Sequence, residues 1–154
     1  MRYITMSTFA LAIAQTLSAQ TFQPYGKIQV AVIDVIRAKE RIPPGMPPQS
    51  GIAAGPGHEL VIVIARIRVP RGQPLVEFAR SECQLLLASP SPSDSVPLQA
   101  RRIVVSSPEK ATVTWEDAIE FLFEIRDSIP VATFHLGSVS FDLQQFPAAR
   151  AKAP

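Results

Sequence analysis

The chain has 154 residues, with 15 Lys and Arg against 13 Asp and Glu, for a formal charge of +2. That length suits one domain with a single sizeable core, and 47% hydrophobic residues exclude a wholly disordered chain. So small a basic excess argues against a nucleic-acid partner, and a single cysteine, Cys83, excludes an internal disulfide.

The first 19 residues read as a signal peptide. Met1-Arg2 gives a positive start, Ile4 to Leu17 is mostly apolar, and Ser18-Ala19 supplies small residues before Gln20. The alternative is a retained membrane anchor. A bilayer span needs about 20 apolar residues, and this run is shorter and interrupted by Thr and Gln. No Cys stands at the cleavage point, which argues against a lipoprotein. The expectation is an exported protein, periplasmic or extracellular, with no stable membrane insertion after cleavage.

From Lys27 to Ile36 the residues read as a first strand. Its apolar set shifts from even positions (28, 30, 32) to odd ones (33, 35), which predicts a bulge near Val32-Ile33. Residues 43–57 form a Pro/Gly-rich loop without periodicity, read as a long mobile connection or as a partner-binding loop. His58 to Val69 is the longest strand candidate. Val61, Val63, Ala65, Ile67 and Val69 share one face, while Leu60, Ile62 and Ile64 make the other apolar before Arg66 and Arg68. Two apolar faces predict a central strand covered on both sides, or one lying beside a loop or partner.

Pro70 to Pro74 is a turn by composition, and Leu75 to Phe78 a short strand. Cys83 to Leu87 is a strand in which Cys83 is in phase with Leu85 and Leu87, so a buried thiol is expected. A second loop, Ala88 to Ser95, precedes a strand from Leu98 to Val105. In Ile119 to Arg126, Ile119, Phe121, Phe123 and Ile125 alternate with Glu120, Glu124 and Arg126, and only Leu122 breaks the pattern. A core face and a wet face are expected. Asp127 to Pro130 reads as a turn, Val131 to Leu136 and Ser138 to Leu143 as the last strands, and 147–154 as a disordered tail.

Seven or eight short strands separated by turns, with no amphipathic helix, predict an all-β fold over residues 20–146, for which an antiparallel β-sandwich or a barrel is the expected architecture. The runs Gly26-Lys27-Ile28-Gln29-Val30-Ala31-Val32-Ile33 and Gly57-His58-Glu59-Leu60-Val61-Ile62-Val63-Ile64-Ala65-Arg66-Ile67 resemble the opening of telokin-like immunoglobulin-fold domains. These occur in secreted bacterial proteins and form a domain family of unknown function. Ile119 to Ile125 with Phe134-His135-Leu136 resembles their closing strands, so the likeness runs from about Lys27 to Phe146. It rests on strand spacing and hydrophobic pattern, and the proline-rich loop departs from it. The resemblance implies an immunoglobulin-like sandwich outside the cytoplasm that acts as a binding or protective surface module, with no catalytic residues to carry over.

No chemistry assembles in the sequence. His58 and His135 lie outside any zinc-ligand spacing, no Gly-x-Ser-x-Gly elbow exists, and no phosphate-binding glycine loop precedes a helix. Glu120 and Glu124 stand about 13 Å apart on a strand, too far for a retaining carboxylate pair. Neither cofactor nor metal is expected, and the chain is not read as an enzyme.

The residues singled out for anion or partner contact are Arg66, Arg68, Arg71 and Trp115. If the strand 58–69 lay beside 98–105, Arg101 and Arg102 would enlarge a basic patch; the alternative is cross-strand Arg–Glu pairing. Trp115 is read as an exposed binding aromatic or as a core or loop-capping residue. The function expected is an exported, non-catalytic binding or structural module whose partner is another envelope or extracellular protein. The alternative is a carbohydrate- or envelope-polymer-binding accessory domain.

Overall fold

The computed structural model describes residues 21–70, 78–88, 97–105 and 115–150, with backbone alone at 105 and 115–117. The expected signal peptide, the strand start at 75–77 and Arg71 lie outside these residues. So do most of the second loop and the end of the tail.

Two antiparallel sheets face each other. In the five-stranded sheet the order is β1 (Gln23–Tyr25), β2 (Ile28–Ala38), β5 (His58–Val69), β9 (Trp115–Arg126) and β8 (Arg102–Val105). In the four-stranded sheet it is β11 (Val139–Asp142), β10 (Val131–Leu136), β6 (Cys83–Leu87) and β7 (Leu98–Gln99). A separate ribbon pairs β3 (Glu40–Arg41) with β4 (Ile52–Ala53). Taking β2, β5, β6, β7, β8, β9, β10 and β11 in sequence, the division into β2-β5-β9-β8 and β11-β10-β6-β7 is that of an immunoglobulin-like sandwich.

The long strands form where period-two patterning is strongest. β5 occupies the span expected for it and pairs with β2 on one side and with all twelve residues of β9 on the other. The bulge in β2 is present: Val32 faces Ala65 and Asp34 faces Ile64, leaving Ile33 as the extra residue, 39% exposed. The bulge restores Val35 to the core face already set by Val30 and Val32. β10 and β11 close through Gly137-Ser138; Gly137 has φ 57°, the left-handed conformation that a two-residue hairpin requires. A Cβ there would also lie 3.2 Å from the Tyr25 ring.

The inter-sheet core is aromatic at its centre. Phe134 of β10 lies 4.9 Å from Phe121, 6.0 Å from Phe123 and 5.9 Å from Phe141, ring centre to ring centre. Phe78 extends the series, edge-on to Phe121 and stacked on Tyr25. Such contacts add about 0.5–1.5 kcal/mol per pair beyond area burial. Cys83 is fully buried in this core, as its phase predicts.

Three expectations need correction. The run from Leu98 to Val105 is two strands in different sheets: Ala100 N–H bonds to the Cys83 carbonyl of one sheet, and Arg101 N–H to the Leu122 carbonyl of the other. The Pro/Gly-rich loop is not without structure, since it contains β4 and a 3-10 turn at Pro48–Ser50. The start of the tail is docked. Pro147–Ala149 forms a 3-10 turn, Ala149 is 1% exposed, and the carbonyls of Ala148 and Ala149 accept hydrogen bonds from Arg37. Ends of domains stay ordered where backbone groups are tied down in this way. These additions, with β1 in the lead-in, raise the strand number to eleven among the described residues.

Candidate partner-binding surface

The outer face of the five-stranded sheet bears out one expectation and overturns another. β5 is central and covered on both sides, as its apolar Leu60 and Ile62 predict, whereas the face of β9 expected to be wet is covered as well. Leu60, Ile62, Val104 and Leu122 are buried there, under Ile52 of β4, with Ile36, Ala38, Ala54 and Ile64 packed around them. The segment from Lys39 to Gly55 lies across this half of the sheet as a strap. Its ribbon cannot be held by β3 and β4 alone, because two-residue strands contribute few backbone bonds. Charged side chains hold it.

Glu120, expected on a wet face, is 2% exposed. Opposite it in register are Ile64 and Val104, both apolar. Arg41 reaches down from β3 and grips both carboxylate oxygens, Nη2 to Oε1 and Nε to Oε2 at 3.1 Å. This bond raises the pKa of the Arg41 guanidinium against the opposing effect of burial. A two-point contact of this kind fixes orientation as well as charge.

Glu124, also expected on the wet face, is half-buried under the far end of the strap. Its Oε1 accepts the Gly55 N–H at 2.7 Å and its Oε2 accepts Arg101 Nη1 at 2.5 Å. The Gly55 N–H, with the Arg101 charge, holds the Glu124 carboxyl below its ordinary pKa of 4.5, overcoming a smaller contrary effect of burial. Arg101 also bonds to the Ala53 carbonyl, and Arg102 to that of Ser50. At the strap's beginning Lys39 pairs with Asp127 and donates to the His58 carbonyl. Beside it, Arg37 contacts Glu59 and the Ile129 carbonyl, and Glu59 accepts the N–H of Ser128, whose φ is 64°.

The strap's tip is solvent-facing. Ile42 is 43% and Met46 41% exposed, amid exposed Pro44, Pro47 and Pro48, while Pro43 is buried. An apolar tip on a clamped base is a suitable geometry for docking a protein surface. A bound partner would remove Ile42 and Met46 from water without first ordering the strap, so less conformational entropy is lost on association.

The residues expected to form the site separate in space. Arg66 and Arg68 are exposed on the same outer face, beyond the strap-covered half of β5. Arg68 lies over the Phe22 ring, 3.7 Å from its centroid, and faces Glu116 across the β5–β9 register, with Ala118 opposite Arg66. Arg101 and Arg102 do not join them. β9 stands between β5 and β8, and both side chains are directed to the strap. Arg71 lies outside the described residues. Trp115 begins β9 opposite Val69, and its side chain, on which the carbohydrate alternative leans, is also outside the description.

The sequence reading missed Arg41, Ile42 and Met46. Its available signal was Leu122: an apolar residue between Glu120 and Glu124 marks a covered face. Among the described residues, no three His, Cys, Asp or Glu side chains gather to hold a metal ion, and no helix is long and apolar enough to cross a membrane. His135 Nδ1 lies 2.9 Å from Ser140 Oγ across β10 and β11.

No family model matches the chain, and no curated protein matches it. Among solved structures it is similar to an uncharacterised β-sandwich protein from Clostridium difficile 630, at 10% identity and a TM-score of 0.53, over 80% of this chain and 89% of that one. This likeness supports the β-sandwich fold alone.

Proposed function

We propose that this chain is an exported, non-catalytic binding module of the telokin-like immunoglobulin kind, and that it docks another envelope or extracellular protein through the tip of its strap. The observation that carries the reading is the pairing of exposed Ile42 and Met46 with a base clamped by Arg41–Glu120 and Arg101–Glu124. The leader-like composition of residues 1–19 supports export. Met is well suited to such a surface, because its flexible, polarisable side chain adapts to a partner's contour.

A photo-crosslinking residue in place of Met46, introduced in the cells of origin, tests both parts. One discrete protein adduct is expected, and Ile42→Asp should abolish it while leaving the folded β signal unchanged. The same probe at Gln29, exposed on β2, should give none. No adduct at Met46, or the same adduct from both positions, would refute the docking surface. Mass spectrometry of the isolated protein should find Gln20 at its N-terminus, and a full-length cytosolic product would refute export.

A further inference from the structure

At the end of the sandwich where β5 begins and β9 finishes, a cleft of about 180 Å³ opens between the sheets. It is lined by Leu87 at the end of β6, Leu98 of β7, Glu124, Ile125 and Arg126 of β9, Ile129 of the following turn, and His58 at the start of β5. We propose that this cleft binds a monocarboxylate carried on a compact apolar body. The site goes beyond the strap and does not rest on its being a partner surface.

Size and lining set the body. Ile125 is buried, and Leu87, Leu98 and Ile129 are half-buried against the main core, so the floor is aliphatic from both sheets. A cavity of about 150 Å³ lined this way accommodates benzene, so the volume suits a single ring or a chain of similar size.

Charge sets the head. Arg37, Lys39, Arg41, Arg101 and Arg102 all have partners in the strap network. Arg126 lines the cleft and is exposed, and among the described residues its side chain makes neither a hydrogen bond nor an ion pair. The other charge at the mouth, Glu124, is already held by Gly55 and Arg101. His58 turns Nδ1 to the Pro56 carbonyl at 2.9 Å, which leaves Nε2 as its remaining ring nitrogen. The uncompensated charge at this mouth is therefore the Arg126 guanidinium, whose planar donor fork matches one carboxylate. A neutral apolar molecule would gain nothing from that cation, which water already solvates.

Two sources supply this chemistry: a free small acid, and the C-terminal residue of a partner chain when that residue is apolar. Benzoate and hexanoate, their amides, and a tripeptide ending in Leu as free acid and as amide separate them. Each is titrated into the folded protein at roughly millimolar concentrations, as ligands of this size require, and followed by methyl NMR shifts. The acids should move Leu87, Leu98, Ile125 and Ile129 selectively. Loss of a charged hydrogen bond should weaken the amides by roughly tenfold. Arg126→Gln should weaken the acids to the same extent without changing the melting midpoint, whereas Arg150→Gln should not.

A tripeptide acid that binds roughly tenfold more tightly than benzoate assigns the cleft to a chain terminus. Comparable affinity assigns it to free acids. Amides that bind as well as acids, or an absence of shifts at the four residues, would overturn the proposal.

Discussion

Glu120 shows how a strand-face carboxylate is accommodated under an apolar cover. Its side chain is 3% exposed and Arg41's is 25% exposed, so one partner is desolvated and the other keeps contact with water. Burying a carboxylate alone would cost several kcal/mol, and the two-point guanidinium contact offsets that cost. The pair's main effect is thus to place Arg41, and with it the strap, at one position on the sheet. Glu120→Ala should leave Arg41 beside apolar Ile64 and Val104 without a counter-charge, and should lower stability by about 3 kcal/mol in urea denaturation. Replacing both residues by Leu should bring stability back to within about 1 kcal/mol of the parent, since apolar residues of similar volume satisfy a buried site as well as an ion pair does. Persistence of the full loss in the double variant would show that the strap depends on the charge contact itself.

At the scale of elements, the strap is held by separate clamps at its two ends, and the distal one responds to acid. The folded-state pKa of Glu124 is depressed below its ordinary value of 4.5, so the carboxylate contributes stability above that pH and loses it as pH falls through the folded value. Stability should therefore be nearly flat from about pH 7 to about pH 5 and fall in more acid solution, with a shallower fall in Glu124→Gln. Hydrogen exchange at Gly55, whose N–H bonds to Glu124, should accelerate over the same acid range in the parent, relative to a core amide such as that of Val63. An unchanged profile in the Gln variant would remove Glu124 from the clamp. This element was the least legible in the sequence. β5, β6 and β10 stand where alternation places them, and even the β2 bulge was written in the change of phase at Val32-Ile33. Leu60, Ile62 and Leu122 mark that the face is covered, but the strap's own residues leave no such trace: β3 and β4 are too short to show a period, and Arg41 and Glu120 are 79 residues apart. The division of Leu98–Val105 was hidden for a similar reason. Neither Gly nor Pro marks the Ala100–Arg101 peptide, and the change of sheet is determined by bonds to Cys83 and Leu122, both distant in sequence.

At the scale of the whole molecule, the two sheets share one core, and Cys83 reports on its opening. The thiol is fully buried beneath the junction of β6 and β10, where Cys83 pairs with Leu136, and its Sγ lies 3.4 Å from the Ala79 carbonyl. Burial, aided by the Glu82 charge, pushes its pKa up to about 12. The thiolate is the form that attacks a disulfide reagent, so at about pH 8 the folded protein should be inert to such a reagent and react only through opened molecules. Phe134 contacts Phe121 and Phe123 of the facing sheet as well as Phe141 of its own, and Phe134→Ala should cost about 3–5 kcal/mol by leaving a cavity between them. If reaching Cys83 requires the sheets to separate, that loss must reappear in the labelling rate, which should rise by about a hundredfold or more. If β6 peels away locally with the short β7 beside it, the rate should hardly respond to Phe134→Ala. A large acceleration would establish that the sandwich opens as one cooperative unit, with the strap and the end cleft carried on a common frame.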